Sequence, residues 1–381
     1  MTALRLWSSL PASGVAAEKK RASVRCGSLK VFAGGGGGGG EFPSFLPKEV
    51  QKIQDPFART LAQRIQRLPV EIGSSESSIM SSCVKPLKQS KKTNPVVLLH
   101  CFDSSCLEWR CTYPLLEEAG LEAWAVDVLG WGFSDLEMRP PCDVASKRYH
   151  LYQLWKSYIK RPMILVGPSL GASVAVDFTV HYPEAVEKLV FINPSVYAEG
   201  TGNLAMLPKP IAYAGVSFLK SLPLRIYANS LAFNGIPFST ILDWTNASSF
   251  LSFFIPHNSV SKFAFDEIFS FFSHGIRFLA VEMRVGRLHC LLPWWDDATV
   301  SFMVKHETLI ICGEQDRIVS YKLAVKLHSE LQNAIIRLVP ETGHLPHVDK
   351  PNSVAKLIVD FTRRNIGRRD VVDVKSMPSF S

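Results

Sequence analysis

The stretch LVGPSLGAS, residues 165–173, sets one serine between two glycines, after an apolar run and before a series of small residues. G-x-S-x-G has only three fixed letters, so Ser169 is either a nucleophile or an ordinary turn serine. The context decides. Met163 to Gly167 reads as a buried strand and Leu170 to His181 as a helix. A sharp strand-to-helix turn lifts a serine hydroxyl clear of its surroundings but brings strand and helix close together. Its neighbours must therefore be small, and Gly167, Gly171, Ala172 and Ser173 are.

Working outward, further short apolar runs end in turn residues: 96–102 (VVLLHCF), 122–130 (EAWAVDVLG), 188–193 (KLVFIN), 308–313 (TLIICG) and 334–339 (AIIRLV). Most do not alternate apolar with polar, as expected of strands covered on both faces in a mostly parallel sheet. Helical patterns fall between them, including 322–331 and 353–365. The expectation is an α/β fold.

A serine nucleophile needs a base, an acid to orient that base, and N–H donors for the oxyanion. In an open α/β sheet these converge outside the carboxyl ends of the strands. TLIICGEQD puts Asp316 just past a strand, with Glu314 as the fallback acid. The preceding strand ends at Asn193 and offers no acid of its own. IIRLVPETGHLPHVDKP then provides His344 as the base, while His347 is expected to pack or hydrogen-bond within that loop. The oxyanion donors are expected to be the backbone N–H groups of Leu170 and Phe102.

Between about 195 and 303 the strand–helix alternation stops. Aromatics such as Tyr213, Phe233, Trp244 and Phe271 accumulate there, with Pro and Gly punctuation. This segment reads as a helical cap whose aromatics mostly build its own core, with an apolar cleft beneath. The expected organisation is a leader and spacer at 1–40, core at 41–194, cap at 195–303, core again at 304–366 and a tail at 367–381.

The first 40 residues carry six basic side chains against Glu18 alone, and five serines. They thus hold most of the chain's formal +8 charge. A basic, serine-containing, acid-poor segment has the composition of an organelle transit peptide, and the run Gly34 to Gly40 that of a flexible spacer. The remaining charge is modest and no basic stripe with interleaved aromatics is evident, which argues against nucleic acid. No 18-residue stretch is continuously apolar, so a soluble globular protein is expected. The eight cysteines include no C-x-x-C pair, and neither G-x-G-x-x-G after an early strand nor H-E-x-x-H occurs. No metal, nucleotide or flavin cofactor is expected. Asp55-Pro56 opens a helix in which Phe57, Leu61 and Ile65 form an apolar stripe. That stripe is read as docking on the domain, with peripheral membrane contact as the alternative.

LLHCF, DVLGWGFSD (127–135), GPSLG, CGEQD and GHLPHVDKP occur in the order and spacing of the α/β-hydrolase superfamily, which the chain resembles from residue 95 to about 365. The resemblance implies an eight-stranded, mostly parallel sheet with helices on both faces and a cap inserted after the sixth strand. It also implies Ser169, Asp316 and His344 as nucleophile, acid and base. Asp127, Gly130 and Gly132 would form an architectural loop beside the pocket. Together with the leader, it suggests a chloroplast protein similar to plastid members related to pheophytinase, acting on a small lipophilic ester. Alternatives are a hydrolase-fold receptor with little turnover, or acyl transfer, C–C hydrolysis or peroxidation on the same triad. Two departures stand out: Cys101 where the family has glycine, and a short link between cap and core. The oligomeric state is not legible.

Overall fold

The structure is a computed structural model that describes residues 41–72, 78–89, 93–195, 232, 306–331 and 333–364. The expected leader and C-terminal tail lie outside the described residues. So does the cap, apart from Ser195 and Ala232, and with it the link into the second half of the core.

Eight strands form one sheet: β1 (Ile65–Glu71), β2 (Ser78–Val84), β3 (Val96–Leu98), β4 (Ala123–Val126), β5 (Met163–Pro168), β6 (Val186–Ile192), β7 (Glu307–Gly313) and β8 (Ala334–Val339). Their order is β1-β2-β4-β3-β5-β6-β7-β8. β2 runs antiparallel to β1 and β4, and every other pairing is parallel. The helices among the described residues are α1 (Pro56–Ala62), α2 (Tyr113–Glu118), α3 (Val144–Leu154), α4 (Leu170–His181), α5 (Tyr321–Glu330), α6 (Pro346–Asp349) and α7 (Pro351–Arg363).

The period of two along each strand splits the core in two. Val97, Leu165, Phe191 and Ile310 pack with Leu154 of α3, Val176 of α4 and Leu327 of α5. Their neighbours Leu98, Val166, Ile192 and Leu309 pack with Leu61 of α1, Leu116 of α2 and Ile358 of α7. Both faces are thus covered, which explains the unbroken apolar runs. Each fully buried Leu, Ile or Phe contributes roughly 1.5–3 kcal/mol by leaving water.

The first two strands differ from the sequence expectation. Asp55 caps α1 as expected, its Oδ1 accepting from the N–H groups of Phe57 and Ala58. The helix stops at Ala62, however, and Ile65 begins β1 rather than completing a helical stripe. Leu61 and Ala62 are buried against the domain. β2 was missed because its SIMSSCV reads as polar. Two of its serines are buried with specific partners instead: Ser81 Oγ lies 2.8 Å from His150 Nε2, and Ser82 Oγ donates to Asp127 Oδ2. Among the described residues no helix is long and apolar enough to cross a membrane.

Candidate active site

Ser169 follows the last residue of β5 and precedes the first of α4. Its backbone is at φ 47° and ψ −114°, a region costing of order 1–3 kcal/mol for a residue with a Cβ. Hydrogen bonds hold it there. The Ser169 N–H donates to Ile192 O at 2.9 Å, and its carbonyl accepts from Ala172 N–H at 3.1 Å. The turn needs both glycines. A Cβ on Gly167 would lie 2.4 Å from the backbone of Gly171, and one on Gly171 would lie 2.9 Å from His100 O. Leu170 opens α4, so its N–H is one of the donors that a helix leaves unpaired at its start.

Asp316 and His344 come from the loops after β7 and β8, at the same carboxyl-end rim. Asp316 Oδ2 accepts from His344 Nδ1 at 2.8 Å. Asp316 Oδ1 accepts from the N–H groups of Ile318 (2.7 Å) and Val319 (3.0 Å), which fixes the carboxylate plane. A carboxylate only accepts, so the His344 proton sits on Nδ1 and Nε2 carries the lone pair. Both side chains are buried, at 6% and 2% exposure. His344 N–H donates to Ala232 O at 2.9 Å. Glu314, the fallback acid, instead accepts from Glu341 N–H at the surface. Among the described residues no hydrogen bond joins Ser169 Oγ to His344. Such contacts are often long without substrate.

Asn193 was passed over in the sequence for lacking a charge, yet it joins the three arms of the site. Ile192, just before it, accepts the Ser169 N–H. Asn193 Oδ1 accepts from Gly313 N–H (2.8 Å) at the end of β7. Its Nδ2 donates to Gly343 O (3.1 Å) and His344 O (2.8 Å). Its φ of 43° is a value Asn tolerates better than most residues. The only sequence signal was a polar residue ending an otherwise apolar strand.

The expected oxyanion loop follows β3. His100 Nε2 accepts from Val128 N–H (3.0 Å), so Nδ1 carries the proton and donates to Cys101 O (2.7 Å). Cys101 is not among the residues with positive φ. The backbone here therefore does not need the family's glycine. The Cys101 side chain packs with Leu345 and Val348. Burial, reinforced by Glu108, pushes its thiol well above the ordinary range, so it is a neutral, apolar filler. Phe102 is half-buried and meets Trp131 edge-on at 5.3 Å. Asp127 accepts from Phe133 N–H (2.8 Å) and Cys106 N–H (2.6 Å), which matches its expected architectural role.

His347 does not bond within its own loop, contrary to expectation. Its Nε2 lies 2.8 Å from Glu108 Oε1, across the rim. Burial alone would raise the Glu108 carboxyl, but the hydrogen bond and charge of His347, aided by His100 and Ser104, bring it down to about 2. Glu108 is therefore a buried carboxylate at neutral pH. No group of three or more His, Cys, Asp or Glu among the described residues could hold a metal ion.

Residues 94–351 match the family described as alpha/beta hydrolase fold. The chain is 57% identical over 335 residues to the alpha/beta hydrolase domain-containing protein VTE7 of Arabidopsis thaliana, a match covering 84% of this chain and 90% of that protein. Human monoacylglycerol lipase ABHD6 is 26% identical over 220 residues, which is 56% of this chain and 59% of ABHD6. Among solved structures, an esterase from Exiguobacterium antarcticum shares the fold with a TM-score of 0.54 at 17% identity, covering 78% of this chain and 100% of that one.

Proposed function

The chain belongs to the α/β-hydrolase family, and we propose that it is a serine hydrolase cleaving an ester of a lipophilic substrate. The observation that carries this reading is the buried 2.8 Å Asp316–His344 pair on the same rim as the strained Ser169. His344 Nε2 takes the hydroxyl proton as Ser169 Oγ attacks the ester carbonyl. Asp316 stabilises the imidazolium that forms. The oxyanion is met by the N–H groups of Leu170 and Phe102, each worth about 3 kcal/mol in the transition state. His344 then returns the proton to the leaving alcohol, and water releases the acyl group by the same route in reverse.

A lipophilic substrate is supported by the half-buried Phe102–Trp131 pair, and by the aromatic-rich segment 195–303. It is supported too by the lipase name of the ABHD6 relative. The basic, serine-containing leader, together with the plant relative, supports import into chloroplasts, where the enzyme would work on or near plastid membranes. The receptor alternative rests on Cys101 and on the short link between cap and core; the backbone at Cys101 is ordinary, and the link lies outside the described residues.

Hydrolysis of medium- and long-chain nitrophenyl esters tests the reading. Ser169→Ala is expected to lower kcat by on the order of 10⁴-fold or more. Undiminished turnover by that variant contradicts it.

A further inference from the structure

One buried carboxylate–imidazole pair has no part in that chemistry. Glu108 lies in the turn Cys106–Trp109 just beyond the oxyanion loop, with its side chain 4% exposed. His347 is fully buried three residues past His344. Glu108 Oε1 accepts from His347 Nε2 at 2.8 Å, and Glu108 Oε2 accepts from Cys101 N–H at 3.1 Å. Cys101 is the residue directly before Phe102. One carboxylate thus grips the backbone beside a proposed oxyanion donor and the loop that carries the proposed base. Glu108 and His347 are 239 residues apart in the sequence.

The surrounding contacts stiffen both grips. The His347 ring lies on Trp109, with centroids 4.5 Å apart, and Trp109 Nε1 donates to Leu99 O at 2.7 Å. Thr112 Oγ1 donates to His347 O at 2.6 Å. The Cys101 side chain shares a buried apolar cluster with Leu345 and Val348, which follow His344. Asn193 ties the His344 backbone to the sheet, and Glu108 ties His347, three residues further on, to the oxyanion loop.

We propose that Glu108 is a positioning residue that holds the Phe102 N–H and the His344 imidazole at a fixed separation, so that both meet one carbonyl group. The proposal rests on the serine-hydrolase reading. An oxyanion donor acts only within about 2.7–3.1 Å of where the charge develops, and losing one costs about 10²–10³-fold in kcat. A donor shifted by a fraction of an ångström gives up part of that.

The test compares the full-length wild type with Glu108→Ala, Glu108→Asp and Glu108→Gln on a nitrophenyl ester and its thiono analogue, in which sulfur replaces the carbonyl oxygen. Sulfur is larger and a weaker acceptor, so the oxo-to-thiono ratio of kcat/KM reports the oxyanion donors. Glu108→Ala is expected to lower kcat by roughly 10–100-fold with little change in KM, and to lower the ratio by about tenfold. Glu108→Asp carries the test if Glu108→Ala does not fold. Its carboxylate is one methylene short of spanning both anchors, so its ratio also falls. Glu108→Gln is expected to fall between wild type and Glu108→Ala: its amide oxygen can accept from Cys101 N–H, but donating to His347 Nε2 forces the His347 proton onto Nδ1, which is buried without a partner among the described residues. A variant that merely lowers the folded fraction scales both substrates alike. An unchanged ratio in soluble Glu108→Ala or Glu108→Asp therefore overturns the proposal. Wild-type turnover that survives Ser169→Ala is a separate failure, of the hydrolase reading itself.

Discussion

Asn193 and Glu108 tie together the loops that carry the proposed reacting groups. Asn193 presents its Nδ2 donor to two carbonyl oxygens and its Oδ1 to one N–H. Asn193→Asp keeps the shape but turns the donor into an acceptor facing two acceptors in a buried site. It is expected to destabilise the fold by about 2–4 kcal/mol, read as a lower Tm, and to reduce turnover as His344 loses its anchor. Glu108 makes a pH-dependent contribution. Its carboxyl lies near 2 in the folded chain against an ordinary 4.5, so the unfolded chain binds the proton first as pH falls. The stabilisation is fully present above about pH 4.5 and is lost as pH drops toward 2. Thermal denaturation across that window should show the wild type's advantage over Glu108→Gln shrinking steadily. A constant difference contradicts an ionised, paired Glu108. Ser169, Asp316 and His344 could be singled out in the sequence because each follows an apolar run within a few residues and is chemically distinctive. Glu108 and Asn193 were not, since their meaning lies in partners up to 239 positions away.

At the scale of elements, the β5–α4 crossing sets the strictest local condition. A Cβ on Gly167 would sit 2.4 Å from both the carbonyl carbon and the oxygen of Gly171, atoms of a helix turn that cannot swing aside. Gly167→Ala is therefore expected to lose several kcal/mol of stability, at or beyond the top of the usual range for single substitutions. Soluble yield and Tm measure this, and a near-wild-type Tm contradicts the close approach. Six of the eight strands could be read from their unbroken apolar runs, because burial on both faces leaves that mark. The two antiparallel strands could not. β1 carries a proline and follows a helix whose apolar spacing runs on into Ile65, so the wrong period fitted equally well. β2 hides its strand character behind serines whose partners are His150 and Asp127. Edge strands such as β1 also tolerate proline, which a central strand would not.

Across the whole molecule, the parallel pairing of β3 with β5, β5 with β6, β6 with β7 and β7 with β8 brings all their carboxyl ends to one rim. Residues 100, 169, 193, 316 and 344, spread over more than 240 positions, meet there for that reason alone. The fold class and the rim were legible from strand order and spacing. The aromatic-rich segment 195–303 lies, apart from Ser195 and Ala232, outside the described residues, and apolar composition alone specifies burial without specifying arrangement. The account's central claim is that this rim activates one hydroxyl. The most direct measurement is to expose the full-length protein to a fluorophosphonate and locate the adduct by peptide mass spectrometry, with His344→Ala in parallel. The account predicts a single stoichiometric adduct on Ser169, formed at least about 10²-fold more slowly without the imidazole. An adduct on another residue, or labelling of Ser169 at the same rate in His344→Ala, would contradict it.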